Sequence, residues 1–276
     1  MMVLFRILSW LPLWLLHGIG WGLGWVVFAL SPTYRRRFVA NLQQAGHDWR
    51  ECRGAVGQTG QLVAELPRLW FGRPANVLWD GAQHIEHALA QGRGIVFLTP
   101  HLGSFEITAQ AYAARFGARQ PITVLFRPSR QPRLRALVAS ARSRPGLLTA
   151  PTTMAGVKQL IKALRQGQSV GLLPDQVPPQ GLGVWAPFYG REAYTMTLSA
   201  RLAQQTGAVV LLAWGERLSW GRGYTVHVQP LGTPLPSDPQ AAAAVINLAM
   251  EQVIATCPQQ YLWGYARYKQ PREERL

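Results

Sequence analysis

His101 and Glu106 stand five positions apart, between an apolar run from Gly94 to Thr99 and an amphipathic stretch that opens at Ser104. Histidine titrates near neutrality, which makes it the commonest side chain for taking a proton from a hydroxyl. A base needs one tautomer held, and a carboxylate accepting the other ring N–H holds it. On one continuous helix, five positions put two side chains about 140° apart, too far round to touch. The Pro100-His101-Leu102-Gly103 turn bends the chain, so His101 precedes the helix and Glu106 falls in its first turn, where the two can meet. The helix dipole also favours a glutamate there. Ser104 reads as the helix N-cap rather than a nucleophile. The chemistry implied is activation of a substrate hydroxyl, with no acylated side chain. An isolated H-x4-E pattern is short, and on its own is better explained by a backbone-bonded histidine and a solvated glutamate.

Further candidates give it context. Arg127 ends the run Val124-Leu125-Phe126, and Arg142 and Arg144 follow downstream. Arginine suits bidentate phosphate or carboxylate binding, so these three read as an anion clamp, whereas Arg130, Arg133 and Arg135 read as a solvated basic face. Asp175 ends the run Leu172-Leu173-Pro174 and either faces the same cleft or caps a turn. Trp185 to Gly190 reads as a hydrophobic groove or as core. Gln260 to Lys269 interleaves aromatics with bases; these stack on nucleic acid or, more commonly, dock on the body of the protein. His84 and His87 lack the neighbouring ligands a metal needs. With His17, His47 and His227 they read as ordinary core or surface residues.

The elements that must position these residues alternate. Strands are expected at about 76–80, 94–99, 121–126, 146–149, 169–174, 208–215 and 224–231, and helices at about 82–91, 104–116, 131–142, 153–166, 195–206 and 239–256. This argues an α/β fold with a mixed central sheet flanked by helices. Helices are also expected at about 34–46 and 50–71, and a long Pro/Gly-rich loop from Asp175 to Tyr194.

With 276 residues, 48% hydrophobic and 15% charged, the chain is too apolar to be disordered. Net charge is +15, and of 28 basic residues all but Lys158, Lys162 and Lys269 are arginine. That balance fits an anionic partner. Cys52 and Cys257 form neither a zinc pattern nor a disulfide framework. Ile7 to Leu30 carries no formal charge and as one helix would reach about 36 Å, enough to cross a bilayer core. Trp10, Trp14, Trp21 and Trp25 suit a membrane interface. A signal peptide and a helix lying in the membrane surface are the rival readings. Arg35-Arg36-Arg37 then places the bulk of the chain in the cytoplasm by the positive-inside rule. The expected organisation is an N-terminal membrane anchor over 1–31 and a second domain over 32–276.

Four segments together resemble the bacterial lipid A biosynthesis acyltransferases, the late lauroyl and myristoyl transferases of the H-x4-D/E glycerolipid acyltransferase superfamily. They are His101-Leu102-Gly103-Ser104-Phe105-Glu106; Phe126-Arg127-Pro128 with Arg142-Ser143-Arg144; Pro174-Asp175-Gln176 with Pro187-Phe188-Tyr189-Gly190; and Pro258-Gln259-Gln260-Tyr261-Leu262-Trp263 with Arg267 and Lys269. The chain departs from the pattern at Pro100, Gln259, Gly264-Tyr265-Ala266 and Val177-Pro178-Pro179. The resemblance implies an inner-membrane acyltransferase that moves a fatty acyl group from acyl carrier protein to a hydroxyl of an anionic glycolipid, a lipid A precursor. It implies no metal or redox cofactor; the acyl carrier protein thioester is the donor. His101 would be the base, Glu106 its orienting carboxylate, and backbone amides near Gly103 the oxyanion donors. Arg127, Arg142 and Arg144 would hold phosphates of acceptor or donor, with Asp175 organising them or the acceptor sugar. The acyl chain would run near Trp185 to Tyr189. Alternatives are the same chemistry on a lysophospholipid, glycolipid or aminolipid, or a membrane-tethered nucleic-acid-binding module; the resemblance favours no nucleic acid.

Overall fold

A computed structural model describes residues 2–126 and 144–273. The apolar N-terminus is not one helix. Pro12 has no N–H to donate and interrupts the run, leaving α1 (Met2–Leu8) and α2 (Leu13–Leu30). Four further helices precede the first strand: α3 (Pro32–Gln44), α4 (Trp49–Cys52), α5 (Gly54–Ala64) and α6 (Leu66–Phe71). Ser31 and Asp48 cap α3 and α4 by accepting backbone N–H bonds.

From Val77 onward the alternation expected from the sequence is present: β1 (Val77–Asp80), α7 (Ala82–Ala90), β2 (Ile95–Leu98), α8 (Phe105–Phe116), β3 (Ile122–Phe126), β4 (Leu147–Pro151), α9 (Met154–Arg165) and β5 (Ser169–Leu172). Then follow β6 (Gly183–Phe188), β7 (Arg191–Met196), α10 (Leu198–Thr206), β8 (Val209–Arg217), β9 (Tyr224–Pro230) and α11 (Pro239–Thr256). The helix expected over 131–142 lies outside the described residues. The long loop expected from Asp175 to Tyr194 holds an antiparallel hairpin, β6 with β7, because Tyr189-Gly190 supplies the positive-φ turn.

The central sheet runs β1-β9-β8-β2-β5-β3-β4. β8, β2, β5, β3 and β4 are mutually parallel, while β9 and β1 run the other way. The sheet is therefore mixed, as the sequence indicates. All of β2 and β5 is buried, which explains why β2 reads as an unbroken apolar run and why the one polar side chain of β5, Ser169, is bonded to the Tyr112 hydroxyl. Val96 and Leu98 face the layer containing α9, α10 and α11, and Ile95 and Phe97 face α7 and α8.

The N-terminal helices share this core. Along one side of α2, Leu13, Leu16, His17, Gly20, Gly24 and Phe28 are buried. A Cβ on Gly20 would come within 2.7 Å of the Gln61 Cα, and one on Gly24 within 2.3 Å of the Val56 carbonyl oxygen, so the backbones of α2 and α5 lie in close approach.

Beneath them lies a buried charge network that the sequence did not announce. Arg217, at the end of β8, donates Nε and Nη2 to the Glu65 carboxylate at 2.7 and 2.9 Å. Its Nη1 donates to Gln58 at 2.7 Å, and Nη2 also to the Gly103 carbonyl at 3.0 Å. The Tyr224 hydroxyl donates to Glu65 and His17 Nε2 lies against the same oxygen, both at 3.0 Å. Glu65 is fully buried: desolvation pushes its pKa up, but Arg217 and His17 overcome this and bring it to about 2.

Because the folded-state value is depressed, the carboxylate's contribution is complete above its ordinary pKa and is lost as pH falls toward 2. Glu65→Gln leaves the Arg217 charge buried and unpaired and should destabilise the fold by about 3–5 kcal/mol at neutral pH. Denaturant unfolding followed across pH should show that gap between wild type and variant close on the acid side.

Candidate active site

His101 lies three residues beyond Leu98, the last residue of β2, and Asp175 three beyond Leu172, the last residue of β5. These strands are adjacent, parallel and in register, with Leu98 opposite Leu172. Each chain then continues through a residue and a proline, so the two side chains emerge together at the carboxyl edge of the sheet. The Asp175 carboxylate meets His101 twice: Oδ1 lies 2.7 Å from ring Nδ1, and Oδ2 accepts the His101 backbone N–H at 2.8 Å. With the Nδ1 proton donated to Asp175, Nε2 carries the lone pair. Nε2 makes no protein hydrogen bond among the described residues. The His101 side chain retains 14% exposure while that of Asp175 is 1% exposed. Burial raises the Asp175 pKa, but His101 and, behind it, Arg267 overcome this and hold the carboxyl below its usual range.

The carboxylate on the histidine ring is therefore Asp175, not Glu106 as the H-x4-E spacing suggests. The reason is strand register: the neighbouring strand delivers an aspartate to the ring, while Glu106 turns with the first turn of α8. Glu106 is nonetheless close to the site. It is buried, accepts the Trp70 indole N–H at 3.3 Å, and lines the same cleft as Thr99 and Phe105. The His101 ring makes an edge contact with Phe105, centroids 4.9 Å apart.

The turn itself is pinned. Gly103 has φ +56, and a Cβ there would lie 2.1 Å from the Gly215 carbonyl oxygen. The Leu102 N–H donates to the Pro100 carbonyl, that of Gly103 to Gln260 and that of Ser104 to Gly215. These three amides are thus each engaged with a backbone carbonyl. Ser104 occupies the N-cap position, but its hydroxyl is buried and makes no capping bond.

The closing aromatic segment holds both loops. The Leu262 N–H donates to the His101 carbonyl at 3.1 Å, and the Tyr265 hydroxyl accepts the Val177 N–H at 2.9 Å, just past Asp175. Tyr261 and Trp263 are buried, and Asn41 donates to the carbonyls of Trp263 and Tyr265, both at 2.7 Å. These aromatics dock on the body, in 3-10 and turn structure rather than a helix. Arg267 is buried behind them, bonded to the Tyr194 carbonyl and the Thr195 hydroxyl.

Of the expected anion clamp, Arg127 and Arg142 lie outside the described residues. Arg144 donates Nη2 to the carbonyls of Leu69 and Trp70, where it caps the C-terminal end of α6. Burial lowers its pKa, which the Glu106 charge partly restores.

An apolar cleft opens beside the site, between α8 and the sheet. Thr99, Phe105, Glu106 and Leu173 line it at the carboxyl edge, and Ile122 and Leu147 at the opposite ends of their strands. It therefore follows the strands for about 10 Å. Of the two readings of Trp185 to Gly190, the described residues favour core over groove. That segment is β6, packed on α11, with Ala186 and Phe188 buried.

A histidine–carboxylate couple at the carboxyl edge of parallel strands, beside a narrow apolar cleft, stands where α/β enzymes place their chemistry. Residues 1–270 match the family model of the bacterial lipid A biosynthesis acyltransferases, and the chain belongs to that family; it is an acyltransferase. It is 30% identical to the lipid A biosynthesis lauroyltransferase of Escherichia coli K12 over 76% of this chain and 69% of that protein. It is 26% identical to the palmitoleoyltransferase of the same organism over 76% and 68%. Identity to a lipid A biosynthesis acyltransferase of Haemophilus influenzae is 26% over 96% and 88%.

Asp175→Asn should preserve the fold but release the His101 tautomer, lowering turnover by roughly two to four orders of magnitude with little change in KM. Glu106→Gln should have the smaller effect, since Glu106 bonds to Trp70 rather than to the ring. Steady-state transfer rates of the two variants, with circular dichroism to confirm folding, check the ranking.

Proposed function

We propose that the enzyme transfers a fatty acyl chain from acyl carrier protein to a hydroxyl of a lipid A precursor at the cytoplasmic side of the inner membrane. The single observation carrying this reading is the His101–Asp175 couple, partly open to solvent, beside a cleft with an apolar lining. Names of the similar proteins, all lipid A acyltransferases, support the acceptor class.

His101 Nε2 takes the proton of the acceptor hydroxyl as its oxygen attacks the thioester carbonyl carbon. Asp175 holds the ring tautomer and stabilises the imidazolium that forms. Collapse of the tetrahedral intermediate breaks the carbon–sulfur bond, and the imidazolium returns its proton to the departing thiolate. The acyl chain lies under α8, with its carbonyl at the mouth. Glu106, bonded to the Trp70 indole, lies at the same edge of the cleft. Arg127 and Arg142 are assigned the phosphate-binding role that their residue type favours. The excess of arginine suits both an acidic carrier protein and an anionic membrane surface.

His101→Ala should lower turnover by at least about two orders of magnitude while leaving the protein folded. The measurement is consumption of an acyl carrier protein thioester, with and without a lipid A precursor, read by mass spectrometry of the lipid product. Full turnover by a folded variant would remove His101 as the base. Thioester consumption that ignores the acceptor would remove the proposed acceptor class.

A further inference from the structure

Three indoles stand out on a surface the acyl-transfer site does not use. Trp220 is 88% exposed, Trp10 86% and Trp14 60%, although an indole gains by leaving water. Trp220 sits at the tip of the β8–β9 connection and adopts φ +58, a left-handed conformation that is unfavourable for a bulky side chain. The tip lies directly on the start of α2: a Cβ on Gly221 would fall 2.3 Å from the Trp14 backbone nitrogen. Trp14, Trp21 and Trp220 line one open groove with Arg222. We propose that this tip is a second membrane contact: Trp220 enters the lipid interface beside Trp10 and Trp14, and α2 lies in that interface without crossing it. This rests on the membrane reading above.

The other side of α2 explains why it stays at the surface. That side is bound along its length to protein: Leu13 and Leu16 are buried, His17 meets Glu65, Gly20 and Gly24 lie on α5, and Phe28 packs on Trp49. Carrying α2 across a bilayer would drag Gln58, Gln61 and the Glu65–Arg217 pair toward hydrocarbon depth, where polar and charged groups are expelled. The free face remains apolar, with Leu23, Val26, Val27 and Leu30 exposed. A helix with one face on protein and one apolar face free belongs at an interface. The rim selects the lipid. Arg222 stands beside Trp220, Arg73 beside Trp10, and Arg35 to Arg37 follow the end of α2, all exposed. The occupant is therefore a bilayer surface with anionic headgroups.

Single cysteines at Trp14, Gly22 and Trp220, carrying an environment-sensitive fluorophore on the full-length chain, read the contact directly. Cys52 and Cys257 are buried, so labelling is selective. Met154→Cys, on exposed Met154, serves as control. On mixed phosphatidylcholine–phosphatidylglycerol vesicles, labels at 14 and 220 should both shift to the blue and be quenched by headgroup-level rather than mid-bilayer quenchers, with the control unchanged. Gly22, midway along α2, should report the same shallow depth. Trp220→Glu should weaken vesicle binding roughly tenfold, and added salt should weaken it further. A label at 220 that stays aqueous while 14 is buried overturns the proposal but leaves the anchor; so does mid-bilayer quenching at 22. Aqueous signals at every position would overturn the membrane reading as well.

Discussion

The Arg217–Glu65 pair is the joint on which the rest of the structure turns. One guanidinium ties the end of β8 to the start of α6 through Glu65, to α5 through Gln58, and to the histidine turn through the Gly103 carbonyl. Gln260 completes the joint by exchanging bonds with the Arg217 backbone, at 2.9 Å from the N–H and 3.0 Å to the carbonyl. Burying two charges is expensive, so the pair is not explained as simple stabilisation. What it supplies is registry: a fully satisfied charge network has few alternative arrangements, and this one fixes the end of β8, the start of α6, α5 and the Gln260 segment around the histidine turn.

The site follows from that fixation and from strand register. Parallel strands end at one edge of a sheet, so residues at equal distance past paired positions arrive side by side. His101 and Asp175 do so past Leu98 and Leu172. The closing aromatic segment then clamps both loops from above through Leu262 and Tyr265. Behind the pair, the face of the sheet that carries Phe97, Val124 and Ala213 is apolar, which gives a site with a polar mouth and an oily interior. On the proposed function, that mouth holds the base and that interior the acyl chain.

Much of the scaffold could be read from the chain. The seven strands of the main sheet lie within a few residues of where the sequence places them, because buried strands carry apolar runs and half-buried ones alternate, both closed by turn residues. The β6–β7 hairpin was missed because its prolines and glycines resemble a loop. Asp175 was recognised as a strand-end residue, but not as the partner of His101. The matching Thr99-Pro100-His101 and Leu173-Pro174-Asp175 runs were the available signal. Glu65, Arg217 and His17 gave none. A lone glutamate, arginine or histidine in a mixed stretch looks like surface until a distant segment buries it.

The sequence by itself determined the α/β alternation, the histidine at a strand end, the basic excess and the apolar N-terminus, since each depends on residue type and local spacing. Tertiary structure decided which carboxylate meets the imidazole, where the apolar cleft runs, and that α2 docks on α5. Those outcomes depend on which strands become neighbours and which helix faces are covered. Such contacts join residues tens to hundreds of positions apart, so a local pattern does no more than hint at them, as the two proline-preceded strand ends do for His101 and Asp175.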